Sequence, residues 1–171
     1  MTNLPLEKIK AIFFDCDGVM TDGSAWVLYN GDAIRCFNVK DGYAIQYALK
    51  KGLLLALITG ASTQSTVMRM QYLGMTHIYS GCSNKLQTYE QLLAEHHLTD
   101  DQVLYMGDDI PDYPIMRRVG IAACPADAAP EICAIAHYVS PIKGGHGFVR
   151  EVIEQVLRRQ GLWFHDDATH W

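Results

Sequence analysis

Short apolar runs at residues 9–14, 53–58, 77–79, 103–106 and 121–123 are each closed by polar or glycine-rich residues, the pattern of strands buried on both faces. Between them the period lengthens to that of helices. Asp41 can cap a helix running toward Lys51 with Gly52 as its stop, and residues 63–73 end at Gly74 in the same way. Residues 84–97 form another helical stretch. Phe148, Val149, Val152, Ile153, Val156 and Leu157 then line one apolar stripe before Gly161. Strands alternating with helices predict an α/β fold with a parallel sheet.

One segment departs from the alternation. Residues 25–29 and 33–37 flank Asn30-Gly31-Asp32, the turn signal of a β-hairpin inserted after the first strand. It carries Trp26, Val27, Leu28, Tyr29, Ile34 and Phe37, and two strands alone are marginal, so it is expected to pack on another subunit or on its own domain. At the other end, residues 162–171 mix aromatics with acids and show no periodicity. Two outcomes stay open for them: an unstructured tail, or docking of Trp163 and Phe164 on a neighbouring subunit.

A chain of 171 residues fits one domain, 1–171, which can bury roughly 70% of its unfolded surface. The formal charge of −5 disfavours nucleic-acid and anionic-membrane partners and leaves small molecules. Cys16, Cys36, Cys82, Cys124 and Cys133 are scattered, odd in number and never spaced CxxC, so neither a disulfide framework nor a zinc site is expected. Cys16, between two aspartates, is expected to turn away from them into the core. His96 and His97, beside Glu95, point about 100° apart on a helix and are read as helix-end polar residues rather than chelators. No run approaches a membrane span and the first residues lack a signal-peptide apolar region, so a cytoplasmic protein is expected.

The chemistry concentrates at strand ends. Phe14-Asp15-Cys16-Asp17-Gly18 follows the first strand, where open α/β sheets place their ligands, and alternation lets Asp15 and Asp17 face one side. Like charges that close are unfavourable without a cation, and an oxygen-only set suits Mg²⁺. One carboxylate can attack phosphorus while the other protonates the leaving alkoxide and then activates water; a solvated acidic turn is the bland alternative. Gly107-Asp108-Asp109-Ile110-Pro111-Asp112 repeats the strand-end placement. Asp108 can reach the same metal from the other side, with Asp112 either one layer behind it or a favourable charge at a helix start. Thr59-Gly60 offers a hydroxyl and backbone amides for a phosphate, and Lys85, a cation at a helix start, is placed to neutralise one.

Taken in order, Asp15-x-Asp17-Gly18, Thr59-Gly60, Lys85 and Gly107-Asp108-Asp109-x-x-Asp112 resemble the four motifs of the haloacid dehalogenase superfamily of phosphotransferases. Residues 15–23, Phe37-Asn-Val-Lys-Asp-Gly42, Ser83-Asn-Lys85 and Gly144-Gly-His-Gly-Phe-Val-Arg-Glu151 are further similar to the 3-deoxy-D-manno-octulosonate (KDO) 8-phosphate phosphatase family, a capless branch, over about residues 9–161. The resemblance implies a Rossmann-like fold and a phosphatase of lipopolysaccharide precursor biosynthesis. It implies Asp15 as nucleophile and Mg²⁺ ligand, Asp17 as acid/base and ligand through its carbonyl, and Asp108 as third protein ligand; Asp109 and Asp112 are expected one layer behind these by their place in the 107–112 loop. It further implies Thr59, Gly60 and Lys85 on the phosphoryl group. Asn38, Val39, Lys40, Asp41, Gly42 and Arg69 fall at its substrate-contacting positions. The partners it implies are a small phosphorylated sugar acid and three further copies, in a homotetramer whose hairpins form a barrel and whose tails can cover a neighbouring site.

Ala61, Lys40 and Gln46 stand where many relatives have Arg, which puts the anion contacts in question. The phosphatase of nine-carbon keto-deoxy sugar acids tends to carry Glu and Lys where this chain has Ala61 and Tyr72, so the eight-carbon sugar is favoured. Two rivals stay open: a phosphatase for another sugar acid, and a non-catalytic domain of this fold serving assembly or regulation.

Overall fold

A computed structural model describes residue 1 and residues 3–169; Thr2, and His170 and Trp171 of the expected tail, lie outside the described residues. The chain runs through β1 (Ala11–Phe14), a hairpin of β2 (Trp26–Val27) and β3 (Ala33–Ile34), α1 (Val39–Lys50), β4 (Leu54–Ile58), α2 (Gln64–Tyr72) and β5 (His77–Tyr79). It continues through α3 (Lys85–Glu95), β6 (Val103–Met106), α4 (Tyr113–Met116), β7 (Ile121–Cys124), α5 (Pro130–Ile135), β8 (Tyr138–Val139) and α6 (Phe148–Arg159). Among the described residues, six parallel strands form one sheet in the order β5-β4-β1-β6-β7-β8.

Alternation on β1 builds both cores. Ile12 and Phe14 pack with Ala44, Ile45 and Ala48 of α1 and with the α6 stripe from Phe148 to Leu157. Ala11 and Phe13 go to the opposite face, against Tyr89 and Leu92 of α3, Ile115 and Met116 of α4 and Ile132 of α5. Burial on both faces is why the strands read as continuous apolar runs. β1 lies between β4 and β6, with Phe14 level with Leu57 and Met106. The residues after these three strand ends therefore emerge side by side.

The structure departs from the sequence reading in four places. α5 and β8 were not foreseen, because six and two residues are too few to show a period, and α4, the helix expected to open at Asp112, runs for only four residues. α1 is capped by Asn38, whose side chain accepts from the Lys40 amide, and not by Asp41. Asp41 is fully buried and its carboxylate accepts from the Arg150 amide at 2.6 Å, so it caps the first turn of α6 from a neighbouring helix. The hairpin pairs only two residues per strand around Gly31 at φ +84°, and Trp26, Val27 and Tyr29 are at least three-quarters exposed. Its own domain does not cover them.

The tail is the fourth departure. Through residue 169 it is not unstructured: Trp163 stands edge-on to Tyr43 and Tyr47, with the Arg150 guanidinium 4.8 Å from its ring centroid. Tyr43 donates to the Ala168 carbonyl at 2.6 Å, and Lys51 binds Asp167 through both oxygens at 2.8 Å. These contacts seat residues 162–169 on the α1/α6 face of their own chain. Helix lengths carry one further result: no helix of the described residues is long and apolar enough to cross a membrane.

The aromatic and cation contacts of Trp163 give its removal a measurable cost. Trp163→Ala is expected to lower stability by about 2 kcal/mol, whereas Phe164→Ala, whose ring is 78% exposed, should change it by less than about 0.5 kcal/mol. Urea denaturation of the full chain measures both; an unchanged midpoint in Trp163→Ala would contradict tail docking on its own subunit.

Candidate active site

Three strand ends and the start of α3 enclose a cleft of about 650 Å³, lined by Asp15, Asp17, Gly18, Thr59, Gly60, Lys85, Asp108 and Asp109 among others. Asp15 directly follows β1, and its amide donates to the Met106 carbonyl at 3.0 Å, which ties it to the end of β6. The chain then turns tightly, with the amides of Val19, Met20 and Thr21 all directed at the Cys16 carbonyl. Gly18 lies at φ +78°, and a Cβ there would come within 2.0 Å of Asp108 Oδ2, so only glycine lets the two loops approach. Gly144 secures the turn from outside: a Cβ on it would stand 1.8 Å from the Gly18 carbonyl oxygen.

Lys85 lies at the centre. Its Nζ is 3.0 Å from Asp15 Oδ2 and 2.7 Å from Asp112 Oδ1, and the side chain is 7% exposed. Asp112 is completely buried; besides Lys85 it accepts from the Tyr105 hydroxyl at 2.7 Å and from the Asp108 amide at 3.1 Å. Every oxygen of Asp112 is thereby engaged, and its part is to hold Lys85 and the 107–109 loop in place. A cation at a helix start opposes the helix dipole; here two carboxylates outweigh that cost. Burial pulls the Lys85 ammonium down, but Asp15 and Asp112 offset this and hold its pKa above the ordinary value.

Asp15, Asp108 and Asp112 each offer a carboxylate oxygen within 4.8 Å of the other two. Burial, then the charge of Asp112, raises the Asp15 pKa against the pull of Lys85. Burial, then Asp15 and Asp112, pushes Asp108 up to about 8. One positive side chain faces three negative ones, so the set is short of positive charge. Asp15 Oδ1 and Asp108 Oδ1 are buried without a hydrogen-bond partner. Two unpartnered oxygens in an oxygen-only pocket fit a hard divalent cation.

Asp17 lines the same cleft as Asp15 and has a partner that its spacing did not suggest. Its carboxylate is gripped by Arg35 of the hairpin, Nε at 2.6 Å and Nη2 at 2.9 Å. Arg35 is 7% exposed and also donates to Thr63 Oγ1 at 3.3 Å, so it joins the hairpin base to both β1 and the entry of α2. Sequence reasoning passed over this residue; its signal was a lone arginine beside Ile34 in an otherwise apolar hairpin arm. Cys16 is buried as expected, its thiol pushed up to about 12 by burial first and then by Asp17 and Asp15, so it is no nucleophile.

Thr59 is 2% exposed and lines the cleft, its hydroxyl accepting from the Ala61 amide at 3.3 Å; Gly60 and Ala61 line it too. Asp109 caps the turn that follows, accepting from the Ile110 amide at 2.8 Å. Ser83 and Asn84 also line the cleft and were not foreseen as site residues. Asn38, Val39, Lys40, Asp41, Gly42 and Arg69 are not among the lining residues. Asp41 is spent on the α6 cap, and Gly42 is buried so close under Arg69 that a Cβ would lie 2.6 Å from its Nη2. Asn38 donates to the Gly145 carbonyl at 3.4 Å, Arg69 lies over the Tyr72 ring, and Val39 is 69% exposed.

Comparison with known proteins follows the same lines. Residues 71–152 match the model of a family described as haloacid dehalogenase-like hydrolase. The chain is 41% identical over 155 residues to the 3-deoxy-D-manno-octulosonate 8-phosphate phosphatase KdsC of Escherichia coli (strain K12), covering 91% of this chain and 82% of that protein. Among solved structures, that of 3-deoxy-D-manno-octulosonate 8-phosphate phosphatase from Yersinia pestis superposes with a TM-score of 0.89 at 41% identity, covering 92% of this chain and 85% of the other. The corresponding protein of Moraxella catarrhalis, in complex with magnesium ion, phosphate ion and a KDO molecule, gives 0.88 at 31% identity, covering 91% and 90%.

The charge imbalance gives a stability test. A carboxyl whose pKa is about 8 folded and 3.8 unfolded contributes stability that is whole below pH 3.8 and lost as pH rises through 8. In metal-free buffer Asp108→Asn should therefore gain on the parent protein between pH 4 and pH 8, by more than about 1 kcal/mol at the upper end after allowance for solvent screening. Saturating divalent cation should stabilise the parent and not the variant. Urea denaturation with and without chelator measures both effects.

Proposed function

The chain belongs to the 3-deoxy-D-manno-octulosonate 8-phosphate phosphatase family of haloacid dehalogenase-like hydrolases and is a phosphoric monoester hydrolase, and from that premise we propose that it hydrolyses 3-deoxy-D-manno-octulosonate 8-phosphate to KDO and phosphate. The observation that carries this reading is the Asp15–Lys85–Asp112 chain of contacts beside Asp108, with two buried carboxylate oxygens left unpartnered. Mg²⁺ fits that place, and Asp15, Asp108 and the Asp17 carbonyl would hold it. When bound it would screen the carboxylates from one another and draw charge from the phosphoryl oxygens.

The residues of the chain divide the work. The Asp15 carboxylate attacks phosphorus, forming an aspartyl–phosphate bond as the bond from phosphorus to the C8 oxygen breaks. Asp17 passes its proton to that leaving oxygen and then takes one from the water that attacks the same phosphorus; the aspartyl–phosphate bond breaks, phosphate leaves and the Asp15 carboxylate is restored. Lys85, Thr59 and the Gly60 backbone hold the phosphoryl oxygens. Lys85 also pulls against burial and Asp112 on Asp15 and so favours the anionic form that the attack needs. Arg35 is the positioning residue for Asp17.

The same reading places the reaction in the cytoplasm, in lipopolysaccharide precursor biosynthesis, and makes the uncovered Trp26, Val27 and Ile34 the seam of a homotetramer.

Phosphate release from eight- and nine-carbon keto-deoxy sugar phosphates tests the substrate: the eight-carbon compound should be preferred, and preference for the nine-carbon one would overturn the assignment. Asp15→Asn should reduce turnover by at least about a thousandfold on any ester; normal turnover by that variant would exclude the covalent route. Removing divalent ions should abolish activity, and Mg²⁺ should restore it. Arg35→Gln should lower kcat by about 10- to 100-fold with a smaller change in KM, because it loosens the proton carrier and leaves the phosphoryl contacts intact.

A further inference from the structure

We propose that His77, Glu95 and His96 form a second metal site, suited to a borderline divalent ion of the Zn²⁺ kind and separate from the carboxylate cleft. His77 opens β5, Glu95 is the last residue of α3, and His96 follows as its C-cap. One donor atom from each lies within 4.8 Å of the other two. The two imidazoles meet edge to face with centroids 4.6 Å apart, and His96 Nε2 is 3.9 Å from Glu95 Oε1. An ion with bonds of about 2.0–2.1 Å in tetrahedral array wants donors about 3.3 Å apart, so side-chain adjustments of about 1 Å complete the set.

Two further observations point to a cation there. His96 Nε2 is shut off from solvent and has no hydrogen-bond partner, and 3.9 Å to Glu95 is too long for one. The site also lies at the carbonyl end of an eleven-residue helix, where the dipole favours positive charge. Two nitrogens and one oxygen suit Zn²⁺ or Co²⁺, whereas the cleft offers oxygen alone and suits Mg²⁺.

The adjacent histidine pair is not this site. His97 leaves the helix at φ +52°, and the second imidazole comes instead from the edge strand of the sheet. An ion held there would tie the start of β5 to the end of α3. The loop between those elements carries Ser83 and Asn84 into the cleft and delivers Lys85, so both its supports would be pinned from the far side.

Zn²⁺ titration calorimetry of the full chain, with Mg²⁺ saturating the cleft, tests the site, and repeating it in Asp108→Asn separates the two metals. We expect one Zn²⁺ per chain in both proteins, binding at least about tenfold weaker in His77→Gln and in His96→Gln and unchanged in His97→Gln. Circular dichroism reports whether each variant is folded, and Glu95→Gln serves where a histidine variant is not. Co²⁺ bound under the same conditions should show the visible absorption of a nitrogen-ligated ion. Absence of Zn²⁺ binding in the Mg²⁺-saturated chain, or binding indifferent to the histidines and Glu95, would overturn the proposal. Phosphate release with Mg²⁺ alone should be the same in His96→Gln and the parent protein, so this outcome is independent of the proposed reaction.

Discussion

Much of the structure depends on one buried ammonium among three carboxylates. Lys85 touches Asp15 and Asp112, and Asp108 stands within reach of both, in a site where burial makes every uncompensated charge costly. The imbalance shapes what surrounds it. Tyr105 shares Asp112 Oδ1 with Lys85 and the Asp108 amide takes Oδ2, which leaves the unpartnered oxygens of this set on Asp15 and Asp108, both of which line the cleft. A scaffold that spends its internal hydrogen bonds on the supporting aspartate and withholds them from the other two prepares a place for a cation and an anionic substrate together.

The hairpin has two distinct parts in this arrangement. Its tip is apolar and uncovered, while its base sends Arg35 inward to bind Asp17 and Thr63. A partner on the tip would therefore be joined, through a ribbon of two residue pairs, to the group proposed to carry the proton. Asp41 shows a similar economy on the other side of the sheet, leaving its own helix start to Asn38 and capping α6 instead. The tail closes over that same α1/α6 pair through Trp163 and Asp167. Stability on that face and chemistry on the strand ends are thus served by different residues of adjacent segments.

What could be read from the chain alone was what repeats or sits beside a strong local signal. The apolar runs located β1, β4, β5, β6 and β7 to within about two residues, since a strand buried on both faces is written as an uninterrupted apolar segment. The alternation of strands and helices, the strand-end position of Asp15 and Asp108, Gly18 after Asp17, Gly107 before Asp108 and the hairpin turn at Asn30-Gly31-Asp32 were legible from equally local signals. Tertiary structure alone decided the partners: Arg35 with Asp17, Asp112 with Lys85 and Tyr105, Asp41 with α6, His77 with His96, and Trp163 with α1. Each joins residues whose separation along the chain follows no period, and their meeting is set by sheet order and helix packing, which act across the whole domain rather than within any window of sequence.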